Sequence, residues 1–199
     1  MQAPKRKGTS PPLPRERLER LATRLQPGVN RAVTLEGMDR LFRSGRVPDP
    51  LPEGFLPGRL LATSIWAPLD STVARIARAW MPWMGKSFDR DAAMGVNRFN
   101  SSGRAPLKVL FPTYAPERDL GELLEAFPFR NRVGPGEVDP DVQVYKIDYD
   151  FEANPGFIIR RILDELVEIE DGLYLGKILF RTRSGFHPIG FFSLERPAS

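Results

Sequence analysis

VQVYKIDYDF, from Val142 to Phe151, alternates apolar and polar side chains from Tyr145 onward. Successive side chains of a β-strand point to opposite faces, so this alternation predicts a half-buried strand. The apolar face carries Tyr145, Ile147, Tyr149 and Phe151. Two of these four side chains bring a hydroxyl into that face, and a buried hydroxyl needs a hydrogen-bond partner.

Tight turns separate the apolar segments that follow this strand. Val167 and Ile169 precede Asp171-Gly172, a dipeptide typical of hairpin turns, and Leu173 to Arg181 predicts the returning strand. A second turn at residues 183–185 leads to a last strand from Ile189 to Leu194. The C-terminal third is therefore expected to be an antiparallel meander.

The segments before this meander are mixed. Apolar spacing predicts helices over residues 13–26, 34–45 and 70–81, and shorter helices over residues 120–127 and after Asn154-Pro155. Strands are predicted over residues 59–65, 86–90, 95–100 and 107–111. On the helix expected after Asn154, Arg160 is predicted to pair with Asp164, and Arg161 with Glu165.

The composition excludes several chemistries. The 199 residues contain no cysteine and a single histidine, His187. Disulfide frameworks, thiolate zinc sites, cysteine nucleophiles and histidine-rich metal sites are therefore excluded, and no cofactor or metal is expected. No stretch has the roughly 18 consecutive apolar residues that a membrane span needs, and nothing resembles a secretory signal, which favours a cytoplasmic location.

Charge is distributed unevenly along the chain. Residues 1–46 hold eleven Lys and Arg and four acidic residues, a net charge of +7. A solvated, arginine-rich surface explains this excess, and no nucleic-acid recognition motif accompanies it. Weak contact with an anionic membrane through residues 5–46 is the alternative. The oligomeric state is left open.

Two glycine-containing segments look like nucleotide-binding motifs and are rejected. Gly85-Lys86-Ser87 lacks the first glycine of a phosphate-binding loop, because Trp80 stands at that position. The segment from Gly134 to Gly136 lacks the third glycine of a dinucleotide fingerprint. Neither segment therefore predicts a phosphate site.

Short motifs spread over residues 40–195 carry a family resemblance. They are Leu41-Phe42-x-x-Gly45, the proline-rich run 48–58, Trp83-x-Gly85-Lys86-x-Phe88, residues 147–150 with Asn154-Pro155, Asp164-Glu165-x-x-x-Ile169, residues 172–177, and Phe191-Phe192-x-Leu194-Glu195. In their order these segments resemble uncharacterised bacterial proteins of a lipocalin-like type. The resemblance implies a β-barrel with a cavity for a small apolar molecule.

Taken together, the patterns and the resemblance predict an α+β fold that is mainly antiparallel β. It is expected to be a lipocalin-like barrel, or a strongly curved sheet, with N-terminal helices. Residues 1–13 are predicted to be a disordered tail, residues 14–46 a basic helical region, and residues 47–199 the β-rich domain.

Aromatic residues on the predicted inner faces are the candidate ligand contacts. Tyr174 shares a strand face with Gly176, which leaves room for a bulky group opposite. The predicted ligand-binding residues are Trp83, Arg98, Tyr145, Tyr149, Tyr174, His187 and Phe192. If the sheet is flat, the same aromatic residues fill a solid core instead of lining a cavity.

The leading functional hypothesis is non-enzymatic binding of a small hydrophobic ligand, a fatty acid or related lipid, in the barrel. Whether the chain is an enzyme is left open. In that alternative, Asp148, Asp150 or His187 would transfer protons to or from a small substrate. A solvent-exposed ladder of charges that includes Lys146 is the simpler explanation of the two aspartates. A peripheral membrane protein is the third hypothesis.

Overall fold

The computed structural model describes residues 12–24, 31–63 and 82–198. The helices are α1 (Pro14–Arg24), α2 (Arg31–Arg43) and α3 (Arg104–Leu110), with short 3-10 turns at Ser101–Gly103 and Ile159–Arg161. The strands are β1 (Gly54–Thr63), β2 (Trp83–Asp89), β3 (Met94–Asn100), β4 (Arg118–Asp119), β5 (Leu123–Pro135), β6 (Gln143–Asp148), β7 (Ile162–Glu170), β8 (Leu173–Thr182) and β9 (Gly185–Glu195).

Eight of these strands close into an antiparallel barrel. Their order is β3-β2-β1-β9-β8-β7-β6-β5, and β5 pairs back onto β3 from Leu123↔Asn100 to Arg130↔Met94. The two-residue strand β4 lies outside the ring, paired with the start of β5. The predicted fold class, mainly antiparallel β with N-terminal helices, is confirmed, and the strongly curved sheet is a closed one.

The two N-terminal helices cover part of the outer wall of the barrel. Leu18 of α1 and Met38, Leu41 and Phe42 of α2 are buried in a cluster with apolar side chains from the outer faces of β6–β9. A buried ion-pair network joins the same layers, because Lys177 on β8 bonds Asp39 of α2 at 2.6 Å and Asp139 at 2.5 Å. The helices therefore close an apolar patch that the sheet would otherwise expose to water.

The C-terminal meander is the part that the sequence predicts best. Strands β6, β8 and β9 form over the predicted segments, and β7 carries Val167 and Ile169. Gly172 adopts a φ of +68° in the β7–β8 turn, as the Asp171-Gly172 turn requires. Alternation and turn chemistry are local signals, and here they agree with the long-range pairing.

The strand predicted over residues 107–111 is wrong, because this segment is the end of helix α3. Leu107 and Phe111, four residues apart, are buried in the interior cluster, whereas the side chain of Val109 between them is 76% exposed. This is a helical period rather than a strand period. Pro106 lies in the first turn of the helix, where its missing N–H costs nothing.

The helix predicted over residues 120–127 is also wrong, because Leu123–Pro135 forms β5. The leucine, glutamate and alanine of this segment favour helix locally. Pairing with β3 on one side and β6 on the other overrides that preference. The strand contains a bulge, because Phe127 and Pro128 together oppose the single residue Val96.

The short helix predicted after Asn154-Pro155 is reduced to one 3-10 turn at Ile159–Arg161, and Ile162 begins β7. The predicted pairing of Arg160 with Asp164 is wrong for the same reason. Arg160 instead pairs with Asp150 at 2.8 Å, while Asp164 points into the barrel.

Some predictions fall outside the described residues: the helix over 70–81, nearly all of the tail 1–13, and the ends of the segments 13–26 and 59–65. Within the described ranges, no helix combines the length and the apolar character needed to cross a bilayer.

Candidate functional site

The inner wall of the barrel is aromatic and closely packed. The Phe192 ring lies over Gly176, where a β-carbon would overlap it, and meets Trp83 edge-on with the ring centroids 5.7 Å apart. Phe88 packs against Tyr145 at 6.2 Å, and Phe129 packs against Tyr149 at 5.5 Å. These aromatic side chains therefore point into the barrel, as the strand alternation predicts.

A charged pair lies within this aromatic interior. The Lys86 ammonium is 2.9 Å from Oδ2 of Asp164, and both side chains are shielded from solvent, with exposures of 0% and 1%. Lys86 also lies 5.1–5.5 Å from the ring centroids of Trp83, Phe129, Tyr149 and Phe192. The rings replace part of the hydration that the ammonium loses on burial.

Three polar side chains complete this group, which we call the buried polar cluster (Trp83, Lys86, Asn97, Tyr149 and Asp164). Oδ1 of Asn97 accepts hydrogen bonds from Lys86 Nζ at 2.9 Å and from the Trp83 indole at 3.1 Å. The Tyr149 hydroxyl accepts from Lys86 and donates to Asp164 at 3.2 Å. The lysine therefore reaches three oxygen acceptors in an otherwise apolar interior.

Burial dominates the electrostatics of the buried polar cluster. Loss of water lowers the pKa of Lys86 and raises the pKa of Asp164, while the opposite charge of the partner works against both shifts. Burial, reinforced by the Asp164 carboxylate, also raises the pKa of Tyr149. The tyrosine consequently remains a neutral hydrogen-bond donor to the carboxylate.

A cavity of about 450 Å³ opens at one end of the barrel and is here named the end pocket. It lies between the segment that follows α3 and the β6–β7 loop. Its lining residues are Leu110, Phe111, Pro112, Thr113, Tyr114, Ala153, Asn154, Pro155, Gly156 and Phe157. Phe111 and Asn154 form its buried floor, and the rim includes Phe157, which is 67% exposed.

Asn154 carries an unused acceptor beside the end pocket. Its Nδ2 donates to the Pro128 carbonyl at 2.7 Å and to the Tyr149 carbonyl at 3.0 Å, which fixes the orientation of the amide. Its Oδ1 is buried and has no hydrogen-bond partner among the described residues. The whole residue is only 4% exposed. Such an unpaired buried acceptor costs about 1–3 kcal/mol unless a further group meets it.

The bulge of β5 connects the end pocket to the buried polar cluster. The Phe127 amide donates to the Tyr114 hydroxyl at 2.6 Å, and the Phe127 carbonyl accepts from Asn97 Nδ2 at 3.1 Å. Phe127 has a φ of +58°, a left-handed conformation that is strained for a bulky side chain. Its ring stacks on Tyr114 with centroids 5.0 Å apart and forms an aromatic partition between pocket and interior.

The predicted ligand-binding residues are only partly brought together. Trp83, Tyr149 and Phe192 surround Lys86, and Tyr145 lies further along the interior beside Phe88. Tyr174 lies toward the opposite end of the barrel from the pocket, where its hydroxyl accepts from Arg196 at 3.0 Å. These five side chains line the interior; the end pocket has a different lining.

The two remaining predicted ligand contacts lie away from the aromatic interior. Arg98 pairs with Glu125 at 3.1 Å on the outer side of β3 and stacks near Phe55. His187 lies on β9 beside the β8–β9 turn, with Nε2 3.0 Å from the Ser184 hydroxyl. Both side chains have protein partners in these positions.

The aspartates proposed as acid–base groups are held by arginines. Asp148 pairs with Arg132 at 2.7 Å. Asp150 pairs with Arg181 at 3.0 Å and Arg160 at 2.8 Å, and these hydrogen bonds lower the pKa of Asp150. A carboxylate stabilised in this way is a poor base near neutral pH. In the described part of the chain, no three His, Asp or Glu side chains are grouped as a metal site.

Sequence reasoning missed Lys86, Asn97 and Asp164 as interior residues, but two of them left a signal. Lys86 lies two residues before Phe88, and Asp164 lies between Ile162 and Leu166, so each charge interrupts an apolar strand face. Tyr114 and Asn154 belong to two loops that come together only because the barrel is closed. No local sequence signal predicts that the two loops are close.

Fold and site together define an antiparallel β-barrel with a packed, charged interior and a pocket at one end. No protein-family model and no curated protein matches the sequence. The fold is similar to the crystal structure of a protein from Thermomonospora curvata, with a TM-score of 0.50 and 16% sequence identity. The likeness covers 92% of this chain and 99% of that one, and it concerns the fold alone.

Proposed function

We propose that this protein binds one small, mainly apolar molecule in the end pocket and performs no chemistry on it. The fold belongs to an architecture that could hold a ligand. The observation that carries the proposal is the end pocket itself, a cavity of about 450 Å³ lined by seven apolar residues and by Thr113, Tyr114 and Asn154, none of them charged. Apolar walls with a few placed polar groups are typical of small-molecule sites.

The proposed binding site differs from the one expected from the sequence. A lipocalin-like barrel would hold its ligand inside the barrel, against Trp83, Tyr145 and Tyr149. These side chains instead pack in the interior cluster, where Trp83 and Tyr149 lie around the Lys86–Asp164 pair. The end pocket, at about 450 Å³, falls within the usual range for small ligands.

The buried polar cluster supports this site without contacting the ligand. Asn97 holds the carbonyl of Phe127, and Phe127 in turn holds the Tyr114 hydroxyl. The cluster thus maintains the bulge on which the pocket floor is built. It is a positioning group, and its two charged side chains pair with each other.

Phe157→Ala is expected to weaken binding of the neutral fluorescent probe Nile red about fivefold. The exposed ring contributes apolar wall to the pocket, and losing about half of the burial energy of a phenylalanine is worth about 1 kcal/mol. Fluorescence titration of the full chain measures the change.

Val109→Ala is the matched control, because Val109 is also exposed and apolar but lies outside the pocket lining. It should leave the dissociation constant unchanged. Equal affinities for wild type and Phe157→Ala would contradict the assignment of the probe to the end pocket.

A further inference from the structure

We infer that the ligand of the end pocket is a flat, uncharged aromatic molecule rather than a flexible acyl chain. This inference rests on the proposed function and names the chemical class of ligand for the same site. It follows from three properties of the lining: its aromatic rings, its rigidity and its lack of charge.

Three of the ten lining residues are aromatic, namely Phe111, Tyr114 and Phe157. The Tyr114 ring is stacked on Phe127, with the centroids 5.0 Å apart and the planes inclined by 19°. Phe127 is fully buried and is not part of the lining, so the pocket meets Tyr114 on its other face or along its edge. Both arrangements favour an aromatic ligand, because rings attract one another by offset stacking and by edge-to-face contact.

Two of the three rings are held in place by contacts within the protein. The Tyr114 hydroxyl accepts from the Phe127 amide at 2.6 Å, and the Tyr114 amide donates to the Phe111 carbonyl at 3.0 Å. Phe111 packs edge-on against Phe127, with the centroids 5.5 Å apart. Pro112 and Pro155 add walls that lose no rotamer freedom when a ligand binds. Such a pocket suits a rigid ligand, whereas an acyl chain loses the freedom of many bonds on confinement.

The lining favours an uncharged ligand. None of the ten lining residues carries a formal charge. Arg160 approaches the lining residue Gly156, with its Cδ 3.9 Å from the β-carbon position of that glycine, but its guanidinium pairs with Asp150 at 2.8 Å. A charged group on the ligand would therefore lose water without gaining an opposite charge from the lining. A fatty-acid anion, which the sequence led us to expect, is disfavoured by both its charge and its flexibility.

Competition against Nile red by three neutral alcohols tests the inference on the full chain at pH 7. The first two, 2-naphthol and decahydro-2-naphthol, share one carbon skeleton and one hydroxyl and differ in aromaticity. The third, 1-octanol, is a flexible alcohol of similar hydrophobicity. We expect 2-naphthol to bind about fivefold more tightly than either of the others, which corresponds to one favourable aromatic contact.

Two variants test whether the lining rings cause this preference. Phe157→Leu keeps an apolar side chain at the exposed rim but removes its ring, and Tyr114→Leu removes the stacked ring. Each should lower the preference for 2-naphthol over decahydro-2-naphthol about twofold, with circular dichroism as the check that the variant is folded. Val109→Leu, outside the lining, should leave the preference unchanged. A preference that survives both ring substitutions would overturn the inference.

The proposed function and this inference fail differently. If Nile red binds and responds to Phe157→Ala, but the two bicyclic alcohols compete equally or 1-octanol competes best, the aromatic class is wrong and the pocket assignment stands. If neither Nile red nor any of the alcohols binds, the proposed function fails, and this inference fails with it.

Discussion

Replacing Lys86 by methionine is expected to lower the free energy of unfolding by about 3–5 kcal/mol, because the substitution leaves the Asp164 carboxylate buried without a counter-charge. Such a loss is a large fraction of the stability of an ordinary domain. Chemical denaturation monitored by circular dichroism measures it. Lys108→Met is the control, because Lys108 lies exposed on α3 and its loss should change stability by less than about 0.5 kcal/mol.

The double variant Lys86→Met with Asp164→Leu should recover most of that loss, because apolar side chains of similar volume can replace a buried ion pair at little cost. A double variant as unstable as Lys86→Met would contradict the ion-pair explanation and point to packing. The deficit of the single variant should also depend on pH. The unpaired carboxyl has its pKa raised further, so the folded state takes up a proton that the unfolded state binds only at lower pH. The deficit is therefore full above the raised pKa and shrinks as pH falls toward the ordinary value of aspartate.

Gly85→Ala is expected to cost about 3 kcal/mol or more of unfolding free energy. Gly85 has a φ of +146°, which L-residues rarely adopt, and an added β-carbon would overlap the Leu56 carbonyl oxygen. The strand register shifts between Trp83 and Gly85, and this irregularity allows both Trp83 and Lys86 to point into the barrel. The structural reason for the Trp-x-Gly-Lys spacing is therefore the backbone of Gly85.

The variant Gly185→Ala distinguishes the stability cost of backbone strain from the stability cost of steric overlap. Gly185 also has a positive φ, +115°, but nothing lies within 4 Å of its added β-carbon, so only about 1 kcal/mol of conformational cost is expected. Thermal melts of the two variants give the comparison. Equal losses of stability in the two variants would show that the close approach of β1 to Gly85 does not determine the stability cost of Gly85→Ala.

The sequence predicts the meander and the aromatic interior because both depend on local signals. Alternation from Tyr145 to Tyr149 and the turn at Gly172 act within a few residues. Prediction from the sequence fails for β5. The composition of this segment favours helix, and pairing with two partner strands overrides that preference. The error at 107–111 has a simpler origin, since an apolar run so short suits either a strand or a helical turn.

The candidate site is harder to predict than the fold because it depends on contacts between distant segments. Lys86 and Asp164 face each other only after β2 and β7 join the same closed barrel. The end pocket combines one loop after α3 with another between β6 and β7. A helix was expected after Asn154, and only the bulge at Pro128 reveals that the Asn154 amide group is oriented by β5.

The most direct test of the central claim is an assigned NMR titration of the protein with Nile red. Binding in the end pocket predicts saturable shifts of the Asn154 side-chain amide and of the backbone amides of Tyr114 and Phe157, while the Trp83 indole N–H stays unchanged. Saturable shifts of the Trp83 indole with Asn154 unaffected would place the ligand in the barrel interior and contradict the account.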